Sequence, residues 1–536
     1  MNNISLLDCT LRDGGYLNDW EFGRNNIVSI FERLVASRVD FIEVGFIDER
    51  REYDPNRTIF PDVKSITRTF GNLDKGNSLT VGMIDYGTLD ISRVCPQSES
   101  CIDGIRVIFK KHLRKEAMAY VKQIKDLGYK VFAQLVSITS YEDEELLDLI
   151  RMANEIKPFA VSMVDTYGLC HSDTLMHYAE ILNANLDPDI SLGYHAHNNF
   201  QLGYANCIEL LSMKTERNLL VDGTIYGMGK SAGNCPLELL AMYLNDRKGK
   251  NYSISQILEA CDSNIINFQK QAHWGYDMFY FIAASNDCHP NYVSYLMNKR
   301  TLSVKQVNTI LAKLEGDKKL LYDEKLIEEL YKDYQEREVD DVEDLVKLSK
   351  ELQGNKILVL GPGTSVVNEN EKVENFIREN NPIIITINYI SNTIKPDFCF
   401  ITNAKRYVQL SSSIAKNADT FKVIATSNVT SSTYEFDYTL KYSSLLDYNA
   451  QIMDNSFLML LKVLKKIGIK EAYAAGFDGY ATDEGPNYFD PDMEYNFTSA
   501  EADELNHYVI FELGKLSADF DLHFITSSYY NIKKEQ

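Results

Sequence analysis

Short apolar runs rich in Val, Ile and Phe alternate with longer helical patterns from residue 4 to about 245, the rhythm of repeated βα units that feed a parallel sheet. The runs are residues 4–11 (ISLLDCTL), 41–46 (FIEVGF), 78–85 (SLTVGMID), 104–109 (GIRVIF), 130–137 (KVFAQLVS), 160–166 (AVSMVDT), 191–197 (SLGYHAH) and 219–224 (LLVDGT). Eight units in about 240 residues predict an α/β fold of the (β/α)8, or TIM-barrel, kind, with its chemistry on the loops after the strand C-termini. Arg12, Asp13, Glu43, Asp85, Gln134, Asp165, His195, His197 and Asp222 all fall at or near those ends. An open doubly wound sheet also alternates its elements, but the count of eight and the charged strand ends favour the barrel.

The pattern changes after residue 248. Residues 249–351 show helical segments and no clear strands, ending in a stretch charged in both signs at helical spacing (YDEKLIEELYKDYQEREVDDVEDLVKLSKELQ), which predicts a solvated helical extension and linker. A second α/β unit opens at NKILVLGPGTSVV and continues through PIIITIN, DFCFITN, FKVIATS and EAYAAGFDGY, again buried strands between helices. The expected organisation is therefore 1–248 catalytic barrel, 249–351 helical extension, and 352–536 a Rossmann-like domain of nucleotide-binding type.

Composition narrows the function. The net charge of −22 over 536 residues argues against a nucleic-acid partner, which needs clustered Lys and Arg to neutralise phosphate. No apolar run of about 18 residues is present, and the N-terminus lacks a charged n-region and a small-residue cleavage site, so a cytoplasmic protein with no membrane partner is expected. Nine scattered cysteines without a CxxC pair indicate neither a disulfide framework nor a structural zinc site.

In YHAHNN, His195 and His197 are two apart at a strand end and point to one face. Two imidazoles on one face are half of a divalent-metal site, and Asp13 on a neighbouring strand end can add an oxygen ligand. A nitrogen and oxygen set without thiolate suits Mn, Mg, Co or Zn. The loop GMGKSAGNCPLE follows the eighth strand, where Asn234 and backbone N–H groups can hold a carboxylate or complete the metal shell. Arg12 keeps its charge and is suited to stabilise an enolate, which points to reaction at a carbon alpha to a carbonyl; a salt bridge to Glu43 on the adjacent strand is the structural alternative, and the bridge can also orient the guanidinium.

The blocks DCTLRDGG, IEVGF, DTYG, YHAHNNFQLGYAN and DGTIYGMGKSAGNCPLE resemble, in order and spacing, the pyruvate-type metallolyase superfamily of 4-hydroxy-2-oxovalerate aldolases, hydroxymethylglutaryl-CoA lyases and isopropylmalate or homocitrate synthases (HMGL-like), over about residues 4–310. HPNYVSYLMNKRTLSVKQVNTILAKL is similar to the region after the barrel in the aldolases. The resemblance implies metal ligation by Asp13, His195 and His197, enolate stabilisation by Arg12, a substrate-facing Tyr292, and pyruvate or a similar 2-oxoacid as substrate with an aldehyde partner. One departure stands out: where those aldolases carry a histidine, counted Arg-Asp-Gly-x-His and proposed as base, this chain has Tyr16. A phenol with a pKa near about 10 is a poor base at neutral pH, which leaves a metal-bound water, a depressed Tyr16 or another residue to handle the proton.

In the C-terminal third, ILVLGPGTSV places Gly361, Gly363 and Ser365 in a turn whose N–H groups can face a phosphate. Asn388, Asn403 and Asp478 sit at strand ends, where open α/β sheets bind ligands. These motifs loosely resemble motif-type sialyltransferases and pterin pyrophosphokinase-like proteins, which implies a nucleotide or nucleotide-sugar ligand. The expected function is a divalent-metal aldolase or condensing enzyme acting on a 2-oxoacid, as a homo-oligomer. The alternatives are a Claisen-type acyl-CoA synthase, a bifunctional protein whose C-terminal domain is a nucleotide-sugar transferase in surface-glycan biosynthesis, and a scaffold that keeps the barrel without its chemistry.

Overall fold

The computed structural model describes residues 4–299, 302–336, 339–391, 393–417, 419–447, 453–481, 486–493 and 497–531. They divide into two compact units, Met1–Pro290 and Asn291–Gln536. In the first, the strands are β1 (Ile4–Asp8), β2 (Phe41–Ile47), β3 (Leu79–Asp85), β4 (Gly104–Phe109), β5 (Lys130–Val136), β6 (Ala160–Asp165), β7 (Ser191–Ala196) and β8 (Leu219–Gly223). All pair in parallel in the order β1-β8-β7-β6-β5-β4-β3-β2, and β1 also pairs with β2, so the sheet closes on itself as the expected (β/α)8 barrel. A two-residue strand, Ile59–Phe60, adds to the end of β2.

Alternation along these strands builds the interior in layers, because residues i and i+2 share a face. Phe41, Phe132, Ala160 and Leu220 join Leu7 and Val81 in an apolar floor. Two residues further along the same strands come Glu43, Gln134, Ser162 and Asp222, all buried. The polar layer thus rests on a dry base and faces the mouth.

The helical stretch 249–351 does not form a body of its own. Ser253 N–H donates to Ser37 O at 2.9 Å and Arg33 to Gln256 at 2.8 Å, which fastens helix Ile254–Ala260 beside helix Arg24–Ser37 of the barrel. At the other end, Leu348 and Leu352 of helix Val342–Leu352 enter the core of the second unit. The extension expected at 249–351 is therefore divided by packing at residue 290, which charge patterning along a helix does not reveal.

The second unit carries a seven-stranded parallel sheet of β9 (Ile357–Leu360), β10 (Ile383–Ile387), β11 (Phe398–Ile401), β12 (Lys422–Thr426), β13 (Tyr438–Leu440), β14 (Glu471–Ala475) and β15 (Asp521–Phe524). Their order is β13-β12-β11-β10-β9-β14-β15. Ile357 and Val359 bury against one layer of helices, Leu358 and Leu360 against the other, which is why these strands read as unbroken apolar runs. The direction of winding reverses between β9 and β14, the switch point at which open α/β sheets take ligands. A cavity of about 600 Å³ opens nearby, lined among others by Gly363, Asn388, Asn403, Phe457, Phe477 and Asp478.

The glycine turn after β9 departs from expectation in one respect. Gly361 N–H donates to Ala475 O at 2.8 Å and Gly363 N–H to Gly476 O at 2.9 Å. Ser365 N–H and Thr364 Oγ1 donate to Asp478 Oδ2 at 2.8 and 2.9 Å, and Ser365 Oγ donates to Asp478 Oδ1. The donors expected to face a phosphate are thus already occupied, with a carboxylate of this chain at the helix N-terminus. Asp478→Ala strips an acceptor from one N–H and two hydroxyls, and should destabilise the second unit by about 1–3 kcal/mol, read as a lower denaturant midpoint of its unfolding transition.

Candidate metal centre in the barrel mouth

After β1 the chain makes a one-turn helix, Thr10–Asp13, and a 3-10 turn, Gly14–Leu17. Asp8 starts the turn by accepting from Thr10 N–H and Oγ1 at 3.0 and 2.6 Å, and burial pushes its carboxyl up to about 7. The N–H groups of Arg12 and Asp13 both donate to Cys9 O, at 3.1 and 2.8 Å. The Trp20 indole donates to Arg12 O at 2.8 Å, and a Cβ on Gly15 would lie 2.0 Å from its ring. The second glycine of Arg12-Asp13-Gly14-Gly15 is therefore a seat for that ring, which holds the turn against the mouth.

Asp13, His195 and His197 offer ligand atoms that lie within 4.8 Å of one another, and all three residues are buried. His195 Nδ1 lies 3.0 Å from Asp222 Oδ2, and His197 Nδ1 lies 3.2 Å from the Lys230 carbonyl oxygen. Both partners only accept, so a neutral ring at either position donates through Nδ1 and offers Nε2 to a cation, the carboxylate–histidine–metal arrangement. His195 Nε2 is buried without a hydrogen bond, as are Asn234 Oδ1, Asp222 Oδ1 and Glu43 Oε1. Such orphans are costly unless something occupies the space between them. These residues fit a divalent cation.

Asp13, Glu43 and Asp222 set three buried carboxylates beside the two buried guanidinium groups of Arg12 and Arg106, with the Lys230 ammonium on the rim. Burial favours the neutral form of Asp13, but Arg12 and the two histidines outweigh it and hold the carboxyl well below the usual range. Burial drops His197 to about 3, so its ring is neutral at pH 7 and can offer a lone pair. For His195 burial also opposes the charged ring, yet the facing Asp13 and Asp222 prevail and raise it above its ordinary value. A second cluster, Cys9, His195 and Asp222, is geometrically close. Burial keeps its thiol protonated, with Cys9 Sγ 3.4 Å from Gly223 O, and the His195 atom on that side is committed to Asp222.

The turn after β8 closes the site. Lys230 N–H and Asn234 Nδ2 donate to Asp13 Oδ1 at 2.9 and 3.0 Å. A Cβ on Gly229 would stand 2.2 Å from Asn234 Nδ2 and 2.6 Å from Asp13 Oδ1, so only glycine lets the turn approach this closely. Asn234 orients Asp13 through its amide nitrogen and keeps its buried Oδ1 as a spare acceptor.

Arg12 Nε donates to Glu43 Oε2 at 2.7 Å, and Arg12 also pairs with Asp13. The Glu43 bridge expected from sequence is therefore present, and it continues: Arg106 pairs with Glu43 at 3.0 Å and with Asp222, and donates to Gln134 at 3.0 Å. Arg106 is fully buried in mid-strand and escapes a reading that looks only at strand ends. Its signal is a lone arginine inside the apolar run GIRVIF. Tyr16 is 41% exposed at the mouth, 5.0 Å from Trp20 and 6.0 Å from Phe46 between ring centres. The crowding of the mouth, which disfavours phenolate, raises its pKa despite the pull of Arg12. That direction is opposite to what a base requires. Tyr292 belongs to the second unit, where its hydroxyl lies 2.8 Å from the carbonyls of both Lys318 and Leu321.

Asp13→Asn and His195→Ala should each abolish stoichiometric binding of Mn or Mg, measured by calorimetry on the folded variants. Arg106→Met leaves Glu43 and Asp222 short of a buried partner and should cost about 3–5 kcal/mol of stability, visible in thermal unfolding before metal is added.

The comparisons with known proteins follow this geometry. Residues 3–264 match the HMGL-like family model. The oxaloacetate decarboxylase of Mycobacterium tuberculosis is 25% identical over 277 residues, 50% of this chain and 78% of that protein. The 4-hydroxy-2-oxovalerate aldolase of Roseiflexus sp. is 27% identical over 255 residues, 47% of this chain and 72% of that protein. Among solved structures, HMG-CoA lyase of Bacillus subtilis aligns with a TM-score of 0.40 at 15% identity, over 52% of this chain and 96% of that one. The part of the chain that matches the HMGL-like family model is the barrel that carries Asp13, His195 and His197.

Proposed function

We propose that the barrel is a divalent-metal-dependent aldolase, a carbon–carbon lyase that cleaves or forms a bond at the carbon alpha to the carbonyl of pyruvate or a similar 2-oxoacid, with an aldehyde as second partner. The observation that carries this reading is the pair of imidazoles whose Nδ1 atoms face Asp222 and the Lys230 carbonyl, and which share with the Asp13 carboxylate a set of ligand atoms within 4.8 Å of one another. A bound divalent cation supplies Lewis acidity to the 2-oxo group and its carboxylate. Relatives named for oxaloacetate decarboxylation and for 4-hydroxy-2-oxovalerate cleavage both break a bond to the carbon next to a 2-oxo group, which is the chemistry this site is suited to.

Arg12 carries the protein's share of the work. Glu43 and Asp13 hold its Nε and Nη1, which leaves Nη2 as the terminus without a hydrogen bond among the described residues. A fixed guanidinium beside the reacting carbonyl stabilises the negative charge that develops on the enolate oxygen and needs no reorganisation to do so. Tyr16 serves as a wall of the mouth in this reading, since its phenol is held protonated.

Proton–deuterium exchange at the pyruvate methyl group, with Mn or Mg added, tests enolisation without knowledge of the aldehyde. Wild type should exchange, Asp13→Asn should lose at least about 100-fold, and Tyr16→Phe should retain exchange. No exchange by wild type would remove pyruvate from the reading and favour the Claisen-type synthase.

For the second unit, we propose that the cavity beside the β9/β14 switch point takes a nucleotide or nucleotide sugar, with contacts from Asn388 and Asn403 and the stacked Phe457 and Phe477 in its lining. Its phosphate would lie away from the Gly361–Ser365 turn, whose donors are spent. A ligand at about 100 times its Kd should raise stability by about 2.7 kcal/mol, so a thermal shift of the full chain with CMP- or UDP-sugars is the measurement; no shift with any of them would sink this assignment.

A further inference from the structure

The barrel mouth holds a cation that the metal-ligand network does not use. Lys230 is fixed through its backbone, its N–H donating to Asp13 at 2.9 Å and its carbonyl accepting from His197 at 3.2 Å, so its side chain starts from the rim of the candidate metal centre. The ammonium lies 5.4 Å from the centre of the Tyr16 ring and 6.0 Å from that of Tyr167. Burial, with Arg12 nearby, lowers its pKa from the usual value, against the opposite pull of Asp13 and Asp85. Among the described residues it makes no ion pair, whereas the guanidinium groups of Arg12 and Arg106 are each paired with carboxylates.

Two aromatic faces return only part of the hydration that an ammonium gives up in such a position. They do fix where it sits. Tyr16, at the position where the resembling aldolases carry histidine, thereby acquires a use that needs no proton transfer, as a shelf for a positive charge three residues from the metal ligand Asp13. The arrangement is a preorganised anion site beside the place where a 2-oxoacid head would be held.

We propose that Lys230 is a specificity-determining residue that binds a second carboxylate of the substrate, so that the barrel acts on 2-oxo dicarboxylates in preference to 2-oxo monoacids. The inference rests on the metal-lyase reading above for the placement of the 2-oxoacid head. A substrate that ends in a methyl group would leave the ammonium unpaired in the mouth, and a site built to pair a charge rejects the analogue that lacks it.

2-Oxoglutarate and 2-oxopentanoate have the same chain length and differ at one end, carboxylate against methyl, so they isolate the contact. Calorimetric titration of Mn-loaded wild type should show 2-oxoglutarate binding at least about tenfold tighter. Lys230→Met, which keeps the side-chain length and the backbone bonds, should reduce that difference to about twofold or less, while Lys230→Arg should keep most of it. Equal affinities in a wild type that exchanges pyruvate protons would overturn the proposal alone. Absence of binding of either acid, together with absence of exchange, would overturn it along with the reading it rests on. A preference for 2-oxoglutarate that survives Lys230→Met would assign the second carboxylate to another residue and also overturn it.

Discussion

Inside the barrel, Glu43 stands between Arg12 and Arg106, and Asp222 stands between Arg106 and His195. The rest of the candidate site depends on this chain of buried charges. Each partner fixes its neighbour: Glu43 sets the angle of the Arg12 guanidinium, and Asp222 sets both the ring orientation and the tautomer of His195. The desolvation that such groups suffer is tolerable only when every member is paired. The chain ends at Asp13, His195 and His197, whose ligand atoms lie within 4.8 Å of one another, so the fold itself shapes a place that a cation can complete.

The two units apply one topological rule with opposite electrostatic outcomes. In both, polar groups collect beyond the C-terminal ends of parallel strands. The barrel brings a carboxylate and two imidazoles together there. The second sheet instead fills its anion position from within, since Asp478 accepts from the N-terminus of the helix that begins at Ser365. A glycine-rich turn before a helix is therefore no measure of phosphate binding until the donors have been followed to their partners.

Much of the barrel was legible in the sequence because buried parallel strands are continuous apolar runs bounded by polar ends. The eight runs coincide with β1 to β8, apart from a few terminal residues; residues 9–11 leave the first strand because Asp8 captures Thr10 and turns the chain. That Asp13, His195 and His197 come together was legible from residue type near strand ends, while Asn234 was read from the loop after the eighth strand. Arg106 was not, since its partners Glu43, Gln134 and Asp222 come from three other strands and meet it only after closure. Lys230 looked like one residue of a glycine-rich loop until its ammonium was seen against two tyrosine rings. The split of the helical stretch at 290 and the capture of the Ser365 turn by a carboxylate 113 residues away are likewise decided by packing.

Asp13 is tied to Lys230 across 217 residues and to Asn234 across 221. Contacts of such sequence separation form only once the loop-closure entropy of the intervening chain has been met. The candidate site thus draws on the first turn of the barrel and on the ends of its last two strands. A nascent or partly folded chain can present imidazoles, but it cannot present this arrangement, so a cation bound there would mark a barrel that has closed.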